Sequence, residues 1–244
     1  MIHLYGLIGY PLSHSFSKNY FTQKFQREGI SDCLYELFPL ERIEMFPELI
    51  ASHPNLEGLN VTIPYKEKVL PYVTEMSDAV KDIGACNCIQ VKNGKLTAFN
   101  TDVVGFEHSL KPLLKAYHTQ ALVLGTGGAA KAVVWVLQQM GITYQCVSRS
   151  GGEGRLRYDE LTKDIIKAYP LIINTTPLGM QPNVKSKPSL PYEALDKQHL
   201  CFDLVYNPSK TVFLQEAERR GAVIKNGLEM LELQAEAAWN LWNR

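Results

Sequence analysis

The sequence has no long apolar run and no excess of charge of either sign. The longest purely apolar run near the middle of the chain, residues 132–137, is far too short to span a bilayer. Lys plus Arg and Asp plus Glu number 25 each, which indicates neither a basic nucleic-acid surface nor an acidic tail. We therefore expect no membrane and no nucleic acid among the partners of this protein.

The sequence also lacks a cysteine pattern typical of a metal site or a disulfide framework. The cysteines, at positions 33, 86, 88, 146 and 201, give an odd count and no C-x-x-C pair. Reduced thiols packed as small apolar residues explain them, so we expect no metal. The first residues lead into a strand pattern without a basic segment or a cleavage site, which favours a cytoplasmic location.

The clearest positive signal is a strand–turn–helix–strand unit in the middle of the chain. An apolar strand runs into Gly125-Thr126-Gly127-Gly128-Ala129-Ala130, which fits the pattern G-x-G-x-x-A. A helical run over 129–140 and a second strand over 144–147 follow. The glycines permit a tight turn and a close approach to a pyrophosphate, and the helix N-terminus offers it free N–H groups. This order predicts a dinucleotide-binding site.

The end of the second strand lacks the acid that holds the ribose 2′-hydroxyl of NAD. Ser148-Arg149-Ser150 stands there instead. A guanidinium flanked by two hydroxyls suits a 2′-phosphate, so the sequence predicts NADP rather than NAD. The alternative is a glycine turn without a ligand, followed by an ordinary surface arginine.

Strand and helix patterns alternate along the whole chain. Strands are predicted over 4–8, 34–38, 56–61, 171–173, 200–205 and 222–224, with a hairpin of 86–91 and 96–99 around Asn93-Gly94. Helices are predicted over 17–27, 40–51 with a bend or break at Pro47, 66–72, 78–83, 102–114, 211–220 and from 227. The alternation predicts an α/β protein with parallel sheets, in two domains with a cleft between them.

Further polar residues lie at strand ends and helix starts. Ser15 and Ser17 suit one small anion such as a carboxylate, although Ser17 is also a plausible helix cap. Lys66 begins a helical piece against the helix dipole, which marks either a functional site or a solvated side chain. Asp102 is either a helix cap or a group at the mouth of the cleft. Gln234, in an apolar stripe, needs hydrogen-bond partners from a ligand or from the backbone.

Together these segments resemble the motif series of the shikimate dehydrogenase family, in that family's order and over nearly the entire chain. The matching segments are Ser15-Phe16-Ser17, Asn60-Val61-Thr62-Ile63-Pro64-Tyr65-Lys66, Asn87, Asn100-Thr101-Asp102, Gly125-Thr126-Gly127-Gly128-Ala129, Asn174-Thr175-Thr176-Pro177-Leu178-Gly179-Met180, Asp203-Leu204-Val205-Tyr206-Asn207-Pro208 and Asn226-Gly227-Leu228-Glu229-Met230-Leu231.

The resemblance implies a substrate-binding domain over 1–101, completed by a C-terminal helix over 227–244, and a Rossmann-type NADP domain over 102–226. It implies the reversible reduction of 3-dehydroshikimate to shikimate with NADPH, in the chorismate pathway of aromatic amino acid biosynthesis. The protein would bind these small molecules as a monomer or a homodimer.

The resemblance also implies a role for individual residues. Lys66 and Asp102 would be the catalytic pair. The substrate would be bound by Ser15, Ser17, Thr62, Asn87, Asp102, Tyr206 and Gln234. The cofactor would be bound by Gly125, Thr126, Gly127, Gly128, Ala129, Ser148, Arg149, Ser150, Thr175, Gly227 and Met230.

The sequence departs from the family at a few positions and leaves rival functions open. Lys18 replaces the proline that usually follows the second serine, and Ser148-Arg149-Ser150 stands where Asn-Arg-Thr is common. A second basic residue often assists there, and Arg155 and Arg157 are the candidates. The rivals are a quinate/shikimate dehydrogenase with broader substrate or NAD use, another NADP-dependent reductase, and a non-catalytic NADP-binding regulator.

Overall fold

The computed structural model describes residues 2–12 and 16–243 and divides the chain into two compact units. Unit 1 consists of Met1–Thr101 and Ala235–Arg244, and unit 2 consists of Asp102–Gln234. Each unit contains one six-stranded sheet, and the predicted α/β class is confirmed.

Unit 1 is a mixed sheet with helices. Its strands are β1 (His3–Gly9), β2 (Cys33–Pro39), β3 (Leu56–Val61), β4 (Glu75–Met76), β5 (Cys88–Lys92) and β6 (Lys95–Phe99). Its helices are α1 (Phe16–Glu28), α2 (Phe46–Ser52) and α3 (Asp78–Ile83). The strand order is β2-β1-β3-β5-β6-β4. Strand β5 runs antiparallel to both β3 and β6. The prediction of parallel sheets throughout is therefore wrong here, because the two-residue turn joins neighbouring strands as a hairpin.

Unit 2 is a parallel sheet with helices. Its strands are β7 (Gln120–Leu124), β8 (Thr143–Ser148), β9 (Arg155–Arg157), β10 (Leu171–Asn174), β11 (Leu200–Asp203) and β12 (Val223–Asn226). Its helices are α4 (Asp102–Leu110), α5 (Gly128–Gln139), α6 (Lys163–Ala168), α7 (Val212–Arg219) and the first part of α8 (Leu228–Trp242). The order β12-β11-β10-β7-β8-β9 reverses direction at β7, so a crevice is expected at the carboxyl ends of β7 and β10.

Prolines explain most of the helix boundaries that differ from the predictions. The predicted helix over 40–51 is instead a 3₁₀ turn followed by α2, with Pro47 in its first turn. The predicted helix over 66–72 is reduced to a 3₁₀ turn, Leu70–Tyr72, that contains Pro71. The predicted helix over 102–114 ends at Leu110, just before Pro112. Strands β4 and β9 and helix α6 were not predicted.

The C-terminal part of α8 packs into the core of unit 1. Trp242 donates a hydrogen bond from its ring nitrogen to the Ile89 carbonyl at 3.0 Å. A Cβ atom on Gly58 would lie 2.4 Å from the Trp242 ring, so only glycine leaves room for the indole on β3. Phe21 of α1 and Tyr35 of β2 stack at 4.6 Å in the same cluster.

A buried lysine fastens α1 to the same part of α8. Lys24 is 5% exposed and its ammonium lies 2.9 Å from Glu236 and 2.9 Å from Glu28. Tyr20 donates a further hydrogen bond to Glu236 at 2.5 Å. Burial opposes the charge of Lys24, and the hydrogen bonds to Glu236 and Glu28 outweigh it and raise the pKa of the ammonium.

Within the described ranges, none of the helices combines the length and apolar composition that a bilayer span requires. The same residues contain no cluster of three His, Cys, Asp or Glu side chains arranged to hold a metal ion.

Candidate active site

Unit 2 contains a cavity at the carboxyl ends of β7, β8 and β10, where the strand order reverses. Its volume is about 360 Å³. Three segments form it: the glycine turn, the end of β8 and the loop after β10. The lining residues are Gly125, Thr126, Gly127, Val147, Ser148, Arg149, Tyr158, Thr175, Thr176, Pro177 and Leu178. A switch-point crevice with a helix N-terminus beside it suits a dinucleotide.

The glycine turn is shaped by a threonine from the neighbouring strand. Gly125 has φ +113°, and a Cβ atom there would lie 2.5 Å from the Thr175 hydroxyl. That hydroxyl donates to the Leu124 carbonyl at 2.7 Å, which fixes the turn from the side. Gly127 precedes α5 as its N-cap, and a Cβ atom on Gly127 or Gly128 would meet only open space. The backbone is therefore exposed where a phosphate would approach.

The end of β8 places Arg149 on the cavity wall. Ser148 is buried and donates to the Gly151 carbonyl at 3.2 Å, so its hydroxyl supports the loop. Arg149 is exposed and lines the cavity, whereas Ser150 is exposed and does not. Of the predicted trio, the guanidinium is the group best placed for an anion.

Tyr158 also lines the cavity, although the sequence did not predict a role for it. The chain after Arg149 continues into β9, which brings Tyr158 to the cavity. Burial raises the pKa of the Tyr158 hydroxyl, and the nearby Arg149 charge opposes that rise. The hydroxyl oxygen is buried and has no hydrogen-bond partner among the described residues. No local pattern points to this residue, because its position depends on the pairing of β8 with β9.

The two candidates for a second cation have different surroundings. Arg157 binds Asp159 through Nε at 2.9 Å and Nη2 at 2.6 Å, on the exposed surface. Arg155 instead lines a second cavity of about 270 Å³ with Thr126 and Lys131. Glu153 lines this cavity too, so the second cavity carries both signs of charge.

A buried polar network joins the ends of β10 and β11. The Asp203 carboxylate accepts hydrogen bonds from the Asn174 amide at 2.9 Å, the Val205 N–H at 3.0 Å and the Thr211 hydroxyl at 2.5 Å. Burial raises the pKa of Asp203 to about 6, against the effect of these hydrogen bonds. Asn174 and Asp203 are the last residues of the buried strands β10 and β11, at the edge of the sheet where α/β proteins place ligands.

Helices α4 and α8 approach closely within unit 2 and bring several predicted residues to one contact. A Cβ atom on Gly105 would lie 2.4 Å from the Met230 carbonyl and 3.1 Å from the Gln234 backbone nitrogen. Asp102, three residues before Gly105, begins α4 and is half-buried. Gln234 is buried and donates to the Leu231 carbonyl at 2.8 Å. The backbone thus supplies one of the partners that Gln234 needs.

Unit 1 contains a chain of hydrogen bonds that links several predicted substrate residues. Ser17 is hydrogen-bonded to Tyr35, whose pKa burial raises well above the ordinary value. Tyr35 donates to the Asn60 side chain at 2.7 Å, and Asn60 donates to the Asn87 carbonyl at 3.4 Å. The Asn87 side-chain oxygen accepts from the Thr101 N–H at 2.6 Å. Tyr35 and Asn60 had no predicted role, although they connect residues that did.

Lys66 lies beside the same segment of unit 1. Its backbone carbonyl accepts a hydrogen bond from the Cys86 N–H at 2.8 Å. Burial raises the pKa of the Cys86 thiol to about 12, and the Lys66 charge opposes this rise. Thr62 is half-buried, and a Cβ atom on Gly9 would lie 2.4 Å from its methyl group. Ser15, the other predicted substrate residue here, lies outside the described residues.

Comparisons with known proteins agree over nearly the whole chain. A family model of the shikimate dehydrogenase substrate binding domain matches residues 7–89. A shikimate dehydrogenase (NADP(+)) of Caldicellulosiruptor bescii is 38% identical over 253 aligned positions, covering 97% of this chain and 88% of the relative.

Solved structures extend this similarity to three dimensions. A shikimate 5-dehydrogenase of Thermus thermophilus, in complex with NADP(H) and shikimate, has a TM-score of 0.87 and 28% identity, covering 99% of this chain and 93% of that one. A chorismate mutase/shikimate 5-dehydrogenase fusion protein of Clostridium acetobutylicum has a TM-score of 0.87 and 34% identity, covering 100% of this chain and 91% of that one.

Proposed function

The chain belongs to the shikimate dehydrogenase family, and we propose that it catalyses the reversible NADP-dependent reduction of 3-dehydroshikimate to shikimate. This oxidoreductase reaction serves aromatic amino acid biosynthesis. The observation that carries the proposal is the 38% identity to a shikimate dehydrogenase (NADP(+)) over 97% of the chain. The dinucleotide cavity that ends at Arg149 supports it independently.

The residues of the unit 2 cavity fit NADP in chemistry. The open backbone at Gly127 and Gly128 suits the pyrophosphate, and the Arg149 guanidinium suits the 2′-phosphate. When bound, NADPH supplies the hydride, and the residues of the chain hold the cofactor in place. We assign cofactor binding to Gly125, Thr126, Gly127, Gly128, Ala129, Ser148, Arg149, Ser150, Thr175, Gly227 and Met230, in a cofactor domain over 102–226.

We assign substrate binding to residues 1–101 together with the C-terminal helix over 227–244. Ser17 and Asn87 are already hydrogen-bonded to Tyr35 and Thr101, so their orientation is set before a ligand arrives. Because the Asn87 side-chain oxygen is engaged by Thr101, this residue contacts a ring hydroxyl through its amide N–H groups. The proposed substrate residues are Ser15, Ser17, Thr62, Asn87, Asp102, Tyr206 and Gln234.

Lys66 and Asp102 are the proposed catalytic pair. The carbonyl oxygen of 3-dehydroshikimate gains negative charge as its carbon is reduced. The Lys66 ammonium stabilises that charge and donates the proton that completes the hydroxyl. Asp102 accepts a hydrogen bond from a ring hydroxyl and so orients the substrate for the reaction. In the reverse direction, the same lysine takes the proton back.

The experiment that tests the proposal is an initial-rate assay of the purified protein that follows the absorbance of NADPH. Shikimate and quinate are each tried with NADP and with NAD. Preference for shikimate with NADP supports the proposal. Turnover of quinate with NAD points to the broader dehydrogenase, and NADP binding without any turnover points to the regulator.

We expect the enzyme in the cytoplasm, as a monomer or a homodimer.

A further inference from the structure

Asp203 is a fully buried carboxylate whose partners are all neutral. It lies at the end of β11 and is 0% exposed. An amide, a backbone N–H and a hydroxyl donate to it, from Asn174, Val205 and Thr211. A buried charge with neutral partners is costly, and such groups concentrate where function requires them. The proposed mechanism gives Asp203 no role.

Through Val205, the carboxylate fixes the segment that carries Tyr206. The Val205 N–H donates to Asp203, and the Val205 carbonyl accepts from the Gly227 N–H at 3.3 Å. A Cβ atom on Gly227 would lie 2.1 Å from the Leu204 carbonyl, so the two segments touch through their backbones. A shift of Val205 is therefore transmitted to Tyr206 and to Gly227 together.

Through Asn174 and Thr211, the carboxylate also fixes the loop after β10. The Asn174 oxygen accepts from the Thr176 N–H at 3.1 Å and from its hydroxyl at 2.6 Å. Thr211 caps α7 by accepting from the Leu214 N–H, and its side chain lies 3.0 Å from where a Cβ atom on Gly179 would stand. Both ends of the loop 175–179 thus depend on groups that Asp203 holds.

We propose that the ionised Asp203 carboxylate is a positioning residue of the reaction, which holds the segments after β10, β11 and β12 so that Tyr206 and Gly227 meet their ligands. The inference rests on the proposed function, which assigns Tyr206 to the substrate and Gly227 to the cofactor; the family resemblance implies that Gly227 contacts its nicotinamide end. Asp203 touches neither ligand in this scheme, and it acts through Val205, Asn174 and Thr211.

The charge state gives this role a pH dependence. Because burial raises the pKa of Asp203 to about 6, the carboxylate gains a proton as pH falls through that value. The Asp203 charge acts on two other ionisable groups, the Cys201 thiol and the Tyr192 hydroxyl. Burial raises the pKa of both far above neutrality. They remain neutral throughout, so the change near this pH belongs to Asp203.

The test compares Asp203→Asn with the control Asp164→Asn, which makes the same chemical change at an exposed site in the first turn of α6. We expect kcat of Asp203→Asn to fall about tenfold or more, since small displacements of positioning groups have effects of this size. The affinity for 2′,5′-ADP, which lacks the nicotinamide but binds beside the loop 175–179, should fall by a much smaller factor than kcat. The acid limb of the wild-type kcat profile near pH 6 disappears.

A second readout does not require turnover. Hydrogen exchange at the amides of Thr176, Val205 and Gly227 should accelerate in Asp203→Asn, while the amides of β7 and β8 exchange as before. Thr211→Val, which removes the hydroxyl donor, should act in the same direction, and Thr211→Ser should restore wild-type behaviour. These variants also replace Asp203→Asn if that chain does not fold.

Distinct outcomes separate the inference from the proposed function. A wild-type protein without turnover refutes the function, and unchanged amide exchange in the variants then overturns the positioning role as well. If the wild type turns over and Asp203→Asn has the same kcat and the same amide exchange as the wild type, only the inference is overturned. If Asp203→Asn lowers the 2′,5′-ADP affinity and kcat by the same factor and also unfolds at a lower temperature, Asp203 has a general structural role. This outcome also overturns the inference.

Discussion

At the scale of single residues, Arg149 and Arg157 show how surroundings decide what a charge does. Both are exposed arginines near β9, yet Arg157 is held by Asp159 in two hydrogen bonds, whereas Arg149 lines the cavity. A guanidinium already paired with a carboxylate has less to gain from a phosphate. Arg149 is therefore the residue that should separate NADP from NAD.

Replacing Arg149 by Ala should weaken NADP binding about tenfold to a hundredfold, because a charge-assisted pair with the 2′-phosphate is lost. NAD, which lacks that phosphate, should bind as before. Titration calorimetry with both cofactors measures the difference. Arg157→Ala is the matched control and should leave both affinities unchanged. An equal loss for NADP and NAD would refute the assignment.

Replacing Lys66 by Ala should lower kcat by several orders of magnitude and change KM for shikimate little. The ammonium does its main work on charge that develops only in the transition state. Steady-state kinetics with shikimate and NADP provide the measurement, and Lys68→Ala, an exposed neighbour, is the control. An effect confined to KM would remove Lys66 from the catalytic pair.

At the scale of secondary-structure elements, the strand ends carry most of the chemistry. Buried strands such as β7 and β10 were predictable from short apolar runs, and the glycine turn from its spacing. The short strands β4 and β9 carry too few residues for a periodic pattern, so no sequence signal marks them. They form because longer neighbours, β6 and β8, offer them edges to pair with.

Asp203 at the end of β11 should make stability depend on pH. Its pKa is raised from 3.8 to about 6, so the folded state binds more protons than the unfolded state in this window. The contribution of Asp203 to the free energy of unfolding therefore falls as pH rises from about 4 to 6, by about 3 kcal/mol. Asp203→Asn lacks this loss. Urea unfolding below pH 4 and above pH 6 measures the free energy of unfolding of both proteins. The stability of the variant relative to the wild type should be greater at the higher pH, and a difference that does not change with pH would contradict the argument.

At the scale of the whole molecule, the last residues of the chain, Ala235–Arg244, belong to unit 1 together with Met1–Thr101. The contacts of Lys24 with Glu236 and of Ile89 with Trp242 join positions 212 and 153 residues apart in sequence. Nothing in the sequence around Trp242 indicates which strand its side chain covers. The resemblance to a family implied only that the last helix completes the first domain.

Trp242→Ala should therefore destabilise unit 1, by about 3–5 kcal/mol, because it leaves a cavity against Gly58 and removes a hydrogen bond to Ile89. The affinity of unit 2 for 2′,5′-ADP should persist. Thermal unfolding combined with 2′,5′-ADP titration checks both parts. Tyr117→Ala, at an exposed aromatic residue of unit 2, is the control. A variant as stable as the wild type would show that Trp242 is not part of the core.

The features that could be predicted from the sequence depend on neighbours along the chain: the alternating elements, the glycine turn, the basic end of β8 and the motif series of the family. These features are local because strands, turns and helix starts are set by a few consecutive residues. The folded chain was needed to show that Asp203 lies among Asn174, Val205 and Thr211, and that Tyr158 lines the same cavity as Arg149. Distant segments of the chain bury these residues and supply their hydrogen-bond partners, and these surroundings determine what each residue does.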